Sequence, residues 1–346
     1  MTPIKLTEAH IIGIIISYIL GLFIVPFVMY YSDKKGLVDQ PNARKIHTGK
    51  ISRLGGIAIW IATMMTFLCL IVLSYYPYGS LLSGILLGSS LMFLLGLVDD
   101  IYGLGAKFKL FIQIAIASIV FLLGIRIDAL FNPFGDVIQL GHFSYIVTIL
   151  WIVAISNAVN FIDGIDGLAG SIITIGAMGL RIISLAAVPS NSITALIAFT
   201  FAGSMLAFLT YNINPAKIFM GDSGALFSGF LLATLSITGT MQSPSVVMFT
   251  PLFLLAVPIA DITFSSLRRI SHGTSPFVAD ANHIHHKLLH HGCSQNKTVL
   301  ILATSAIIFG LIGASIVGVS LIKYFIVAIG ISIFMLVLSM YAKIKY

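Results

Sequence analysis

The chain has 346 residues, of which 58% are hydrophobic and only 9% charged, with a mean hydropathy of +1.05 and a net charge of +7. Soluble domains carry about 25% charged residues, so a water-soluble globule, a disordered chain, a coiled coil and a disulfide scaffold are excluded. Recurrent apolar runs of about 20 residues fit the hydrocarbon thickness of a bilayer, and without the alternation of a membrane β-barrel the spans are helices, which satisfy their own backbone hydrogen bonds in lipid.

In chain order the apolar windows predict helices over 10–31, 55–75, 81–98, 110–125, 143–160, 168–187, 193–212, 224–241, 246–267, 298–319 and 321–341. The expected fold is therefore an all-α polytopic membrane protein with about 11 transmembrane helices. The first window is longer than a signal-peptide core and lacks a small-residue cleavage site, so it reads as a retained first helix. The window 168–187 carries Arg181. No period of 20–50 residues marks a repeat array, and residues 1–346 read as a single membrane domain. Cys69 and Cys293 form no CxxC pair.

Loop charges set the orientation. Of 19 Lys and Arg, all but Lys5, Arg126, Arg181 and Lys323 fall after helices 1, 3, 5, 7 and 9 or in the C-terminal tail. The N-terminus is thus expected outside and the C-terminus in the cytoplasm. Of 12 acids, all but Glu8, Asp128 and Asp136 fall on the same cytoplasmic side. The positive-inside rule does not govern acids, so their gathering there points to a site.

Five cytoplasmic loops, about 32–56, 97–113, 157–168, 212–224 and 268–297, hold the residues suited to chemistry. The first carries Asp39, Pro41, Asn42, Arg44, Lys45 and His47, then Arg53 before Gly55-Gly56. These basic groups serve either as the orienting signal or as partners for phosphates, and Arg53 with the two glycines resembles an anion nest. The second has Asp99-Asp100 at a helix end, which can hold a hard cation or take a proton, or merely be a solvated terminus. Lys109 follows at the entry of the next helix as a phosphate contact.

The third loop is more specific. Asn157 and Asn160 share a helical face by their spacing, Gly164 and Gly167 end the helix, and Asp163 and Asp166 are presented at the break. A simple helix cap explains one glycine and one acid, not four polar groups at three-residue spacing. In the fourth, Asp222 sits between Gly221 and Ser223-Gly224 at a helix start, as an ordinary N-terminal acid or as a Mg²⁺ ligand. The fifth collects His272, His283, His285, His286, His290 and His291 around Lys287. It suits an anion site first, a solvated loop second, and a zinc site using His286, His290 and Cys293 third, since HxHH lacks the base of HExxH. Carboxylates, amides, histidines and basic groups from five loops on one face suit phosphate-bearing substrates with a divalent cation. A transporter, whose sites sit near the midplane, fits less well.

These motifs, taken together, resemble the polyprenyl-phosphate N-acetylhexosamine-1-phosphate transferases. The matching stretches are Asp39-x-Pro41-Asn42-x-Arg44-Lys45-x-His47 with Arg53-x-Gly55-Gly56; Asp99-Asp100 with Lys109 and Gln113; Asn157 through Leu168; Phe219 through Gly224; and His283-x-His285-His286. The His-Ile-His-His form and the Arg-Lys-x-His loop are similar to the bacterial branch that uses UDP-N-acetylglucosamine (UDP-GlcNAc); the phospho-N-acetylmuramoyl-pentapeptide transferases are the sister branch. The resemblance implies that undecaprenyl phosphate and UDP-GlcNAc give undecaprenyl-diphospho-GlcNAc and UMP, the first membrane step of a cell-envelope glycan such as teichoic acid or O-antigen. It implies Mg²⁺, with Mn²⁺ as a substitute, a homodimer in the bacterial inner membrane with its site on the cytoplasmic face, and no nucleic-acid partner. By the same resemblance Asp99 deprotonates or orients the lipid phosphate, Asp100 supports that site and Asp222 binds Mg²⁺. Lys109, His285 and His286 contact phosphates, with His283 and the basic groups Arg44, Lys45, His47 and Arg53 around the substrate. Asn160 and Asp163 hold the nucleotide diphosphate, Asn157 is a further substrate-binding residue, and Gly164, Asp166 and Phe219 line the uridine pocket. A cation-coupled transporter and a zinc hydrolase are the competing classes.

Overall fold

The structure, a computed structural model, describes residues 3–39, 51–73, 79–130, 138–186, 192–240, 252, 255–271, 273 and 283–316. Among these are eleven helices: α1 (Pro3–Lys35), α2 (Gly55–Val72), α3 (Ser80–Tyr102), α4 (Ala106–Leu122), α5 (Phe143–Ile162), α6 (Leu168–Ala186), α7 (Ser192–Asn212), α8 (Gly221–Thr240), α9 (Ala256–Ser271), α10 (Ile284–His290) and α11 (Gln295–Ile316). Seven of them, α1, α2, α3, α5, α6, α7 and α11, are long and apolar enough to cross a membrane. The expected helix at 321–341 and the first part of that at 246–267 lie outside the described residues.

Burial divides the bundle into an inner and an outer set. The apolar windows of α6 and α7 are 89% and 78% buried inside the protein, against 28% for α1. On α1 the exposed residues Ile11, Ile15, Ile19, Phe23 and Phe27 recur every fourth position, which draws one apolar stripe along a helix face. The opposite face of α1 lies on α7, where Gly21 meets Ala207 and Gly203 meets Ser17. Small residues let membrane helices approach closely, which substitutes for the missing hydrophobic drive in lipid. α8 is held between α3 and α5, and Phe201, Phe208, Phe227 and Phe230 fill the centre. Arg181 is accommodated in the buried α6 by lying 4.2 Å over the ring of Phe199, a cation–π contact that offsets part of its desolvation.

Two features depart from the expected helices. α4 starts at Ala106, four residues early, and so takes Lys109 into its first turn. α8 likewise starts at Gly221 and takes in Asp222. Apolar windows stop at the first charge, whereas both helices continue because these charges have partners in the protein. There are also two hairpins of two-residue strands, β1 (Val38–Asp39) with β2 (Ile51–Ser52) and β3 (Ala129–Leu130) with β4 (Ile138–Gln139). Strands this short leave no period to read.

Candidate active site

The helix ends that gather the site are fixed by backbone contacts. Phe219 N–H donates to the carbonyl of Ser52 at 2.7 Å, while Gly55 and Gly56 N–H donate to the carbonyls of Phe219 and Met220 at 3.0 and 2.9 Å. The chain after β2 is thereby laid along the segment entering α8. A Cβ on Gly55 would lie 2.5 Å from the Phe219 carbonyl oxygen, and one on Gly56 2.2 Å from Gly224 N. This corrects the anion-nest expectation for Arg53 with Gly55-Gly56. The glycine amides are spent on Phe219 and Met220, and their small size serves close packing. Arg53 itself is exposed beside this junction. With Gly36, Leu37 and Asp100 it lines an open cavity of about 180 Å³. Arg44, Lys45 and His47 lie outside the described residues.

At the centre, Lys109 Nζ donates to Asp99 Oδ2 at 2.7 Å and to Asp222 Oδ2 at 2.8 Å. Asp99 Oδ1 also accepts from Leu104 N–H at 2.6 Å, in the turn that links α3 to α4. Burial alone pushes the Lys109 ammonium down, but the two carboxylates prevail and raise it. For Asp222 burial acts upward, and the neighbouring Asp99, Lys109 and Asn160 together hold it below the usual carboxylate range. Asn160 thus faces Asp222 from the last turn of α5. Asp163, capping α5, is pushed up to about 7 by burial first and then by the carboxylates of Asp222, Asp100 and Asp166.

The histidine segment closes the other side. His285 Nε2 is buried without a hydrogen-bond partner and points at Gly164, where a Cβ would lie 2.3 Å away. Gly164 therefore makes room for His285. His285 and His286 rings stand 4.2 Å apart, and His283 stacks on His285 at 5.8 Å and on Phe161 at 5.6 Å. Burial, reinforced by His286, pushes His285 down to about 4. The folded state thus refuses a proton that an unfolded histidine accepts near 6.5. As pH falls from about 6.5 towards 4 the unfolded chain binds more protons and the fold loses stability; above 6.5 His285 has no effect. Thermal melts in detergent should show His285→Gln losing part of this acid sensitivity. A melt profile parallel to wild type from pH 7 to 4.5 would refute the assignment.

Asp261 is a residue that sequence reasoning missed. It is 3% exposed, accepts from Ile284 N–H at 2.7 Å, and sits 2.8 Å from His283 Nδ1. It fixes the ring that starts the histidine motif and the first turn of α10. Its signal in the sequence is a lone acid in an apolar window, a position that costs too much without a partner.

Two expected substrate contacts are engaged by partners within the protein. Asn157 exchanges hydrogen bonds with Gln113 at 2.5 and 3.5 Å and donates to the Val153 carbonyl at 2.8 Å, tying α4 to α5. Asp166 accepts from Asn214 Nδ2 and Ala216 N–H at 2.9 and 3.0 Å and so pins the loop before α8. Removing one partner of a buried pair orphans the other, while removing both is nearly neutral. Asn157→Leu should therefore destabilise the protein by about 1–3 kcal/mol, and adding Gln113→Leu should restore most of that loss. Additive losses in thermal melts would show that the pair is not coupled. Among the described residues no three His, Cys, Asp or Glu side chains gather as a metal cage.

The assembled strip runs from Asp99 and Lys109 through Asp222, Asn160 and Asp163 to Gly164 and His285. It offers carboxylate, amide, ammonium and imidazole groups within one surface, which is the equipment for binding a diphosphate and a hard cation. Residues 82–240 match a model of the glycosyl transferase family 4. A probable undecaprenyl-phosphate N-acetylglucosaminyl 1-phosphate transferase of Bacillus subtilis is 36% identical over 304 residues, 87% of this chain and 83% of its own. A decaprenyl-phosphate N-acetylglucosaminephosphotransferase of Mycobacterium leprae is 32% identical over 327 residues, 86% and 81% of the two chains. An undecaprenyl-phosphate alpha-N-acetylglucosaminyl 1-phosphate transferase of Escherichia coli K12 is 30% identical over 319 residues, 88% and 83%. With identity at this level over most of both chains, and with the matched segment holding the carboxylate–lysine cluster, the protein belongs to glycosyl transferase family 4.

Proposed function

We propose that the protein transfers GlcNAc-1-phosphate from UDP-GlcNAc to undecaprenyl phosphate, releasing UMP. The observation that carries this reading is Lys109 bound at once to Asp99 and Asp222, with Asn160 on the same acid. An ammonium shared by two carboxylates marks a place where positive charge is favoured, and the oxygen donors of Asp222 and Asn160 are of the kind that hold Mg²⁺. Those two residues would hold the ion, which would neutralise diphosphate charge in the transition state.

In the reaction an oxygen of the lipid phosphate attacks the β-phosphorus of UDP-GlcNAc. The bond from that phosphorus to the bridging oxygen breaks, and UMP leaves with the electron pair. Phosphoryl transfer of this type is chiefly positioning and charge stabilisation. Asp99 holds Lys109 and the Leu104 N–H, so in this arrangement it orients Lys109 towards the phosphates, while burial and the neighbouring Asp222 carboxylate push its own carboxyl above the usual range. Lys109 supplies a fixed positive charge, and His285, kept neutral by burial, stands against Gly164 with the His286 ring beside it. The proposal includes eleven spans with the N-terminus outside, the site at the cytoplasmic face of the bacterial inner membrane, and a homodimer. The spans and their orientation are supported by the loop charges and by apolar helices that end at the site.

The test is UMP release by purified protein with Mg²⁺ and undecaprenyl phosphate, comparing UDP-GlcNAc with UDP-N-acetylmuramoyl-pentapeptide. Release with the first and not the second is expected. Release with the pentapeptide substrate alone would move the protein to the sister branch, and release with neither would overturn the proposal.

A further inference from the structure

We propose that Asp100 is a positioning residue: reaching across from α3, its carboxylate closes the N-terminus of α8 and thereby sets where Asp222 stands. The first backbone N–H groups of a helix have no partner within it and are usually taken by a side chain just before the helix. Here the residues at that place are Met220 and Gly221, which offer no acceptor. Asp100 Oδ1 accepts from Asp222 N–H at 2.8 Å and Oδ2 accepts from Ser223 N–H at 2.9 Å. A carboxylate at a helix N-terminus is further favoured by the helix dipole.

The surrounding backbone is built for this contact. Gly221 has φ +69°, and a Cβ there would lie 2.1 Å from the Arg53 carbonyl oxygen and 2.7 and 2.9 Å from the two Asp100 oxygens. One turn earlier on α3, a Cβ on Gly96 would lie 2.3 Å from the Asp222 carbonyl oxygen. The helix carrying Asp99-Asp100 thus touches the first turn of α8 at two levels, and glycine is required at both. The adjacent acids divide the work. Asp99 faces Lys109 and the Leu104 amide, whereas Asp100 spends both oxygens on the residue pair that begins with Asp222. Asp100 acts on Asp222 through the backbone of that residue, without joining the Lys109 cluster.

The inference rests on the metal role proposed for Asp222, and one arm of its test does not. Hydrogen exchange of a peptide spanning 219–226 is compared among wild type, Asp100→Asn and Asp100→Ala, alongside kcat and the Mg²⁺ concentration giving half-maximal UMP release. Each bond to a charged acceptor is worth about one to two factors of ten. Asp100→Ala loses both bonds and should therefore exchange at least about a hundredfold faster at the start of α8 and need about tenfold more Mg²⁺. Asp100→Asn keeps one acceptor oxygen and loses one of the two bonds, so its exchange at 219–226 should be about tenfold faster than wild type, between wild type and the Ala variant. If Asp100→Ala fails to accumulate, the near-isosteric Asn variant decides. Exchange at 219–226 that matches wild type in the available variants overturns the proposal whatever the activity does. So does an Asn variant that loses all turnover while its exchange stays unchanged, the signature of a residue in direct chemistry. Failure of the transferase reading would show instead as a wild type that releases no UMP, with the exchange arm still decisive.

Discussion

Replacing Asp222 by Ala should lower UMP release by about 10³-fold or more, the scale on which loss of a principal transition-state charge contact is felt, while leaving the protein folded. The side chain is 27% exposed, and after its removal Lys109 keeps Asp99 as a partner. The backbone N–H of residue 222 still meets Asp100, so α8 still starts in place. Thermal melts should therefore move little. Chelating divalent cations from the wild type should bring activity to the same floor, and chelation should remove nothing further from the variant. Effects of groups that act as one unit are not additive. Turnover near normal in Asp222→Ala, or a further large loss on chelation, would place the metal elsewhere.

The bundle and its helix starts were legible in the sequence to different degrees. Apolar length marks α1, α2 and α7 directly, because lipid and core both demand an unbroken run. The starts of α4 and α8 were not legible from hydropathy, since Lys109 and Asp222 look like loop residues until their mutual contact across 113 positions of chain is known. The five loop motifs pointed to one surface, and in the structure Asp99, Lys109, Asn160, Asp163, Asp222 and His285 do lie along it. Their division of labour was not readable from spacing. Asn157 and Asn160 sit three residues apart, yet one binds Gln113 and the other faces Asp222, because a small difference in angle around α5 selects a different neighbouring helix. Adjacent Asp99 and Asp100 diverge for the same reason. Asp261 escaped notice because nothing near it in the sequence announces the His283 ring it anchors. Gly55 and Gly56 were misread because a glycine pair looks alike whether its amides await an anion or already meet another chain segment.

Lys109→Gln is expected to separate two roles that the cluster combines. Nζ lies 2.7 Å from one carboxylate and 2.8 Å from the other, so the variant leaves two acids without the charge between them. Like charges at this range cost enough to disfavour a third anion, and the incoming phosphates should be held poorly. At saturating Mg²⁺ kcat should fall by about 10²–10³-fold. The half-activating Mg²⁺ concentration should fall as well, because the ammonium that competes with the ion for Asp222 is gone. That sign is opposite to the one expected for Asp100→Ala, where a displaced Asp222 raises the requirement. Lys109→Arg keeps the charge, but a planar fork with two separate nitrogens does not reproduce a single point donor shared by two oxygens. It should recover only part of kcat. A Lys109→Gln enzyme that needed more Mg²⁺ than wild type would show that the lysine helps to build the cation site rather than contest it.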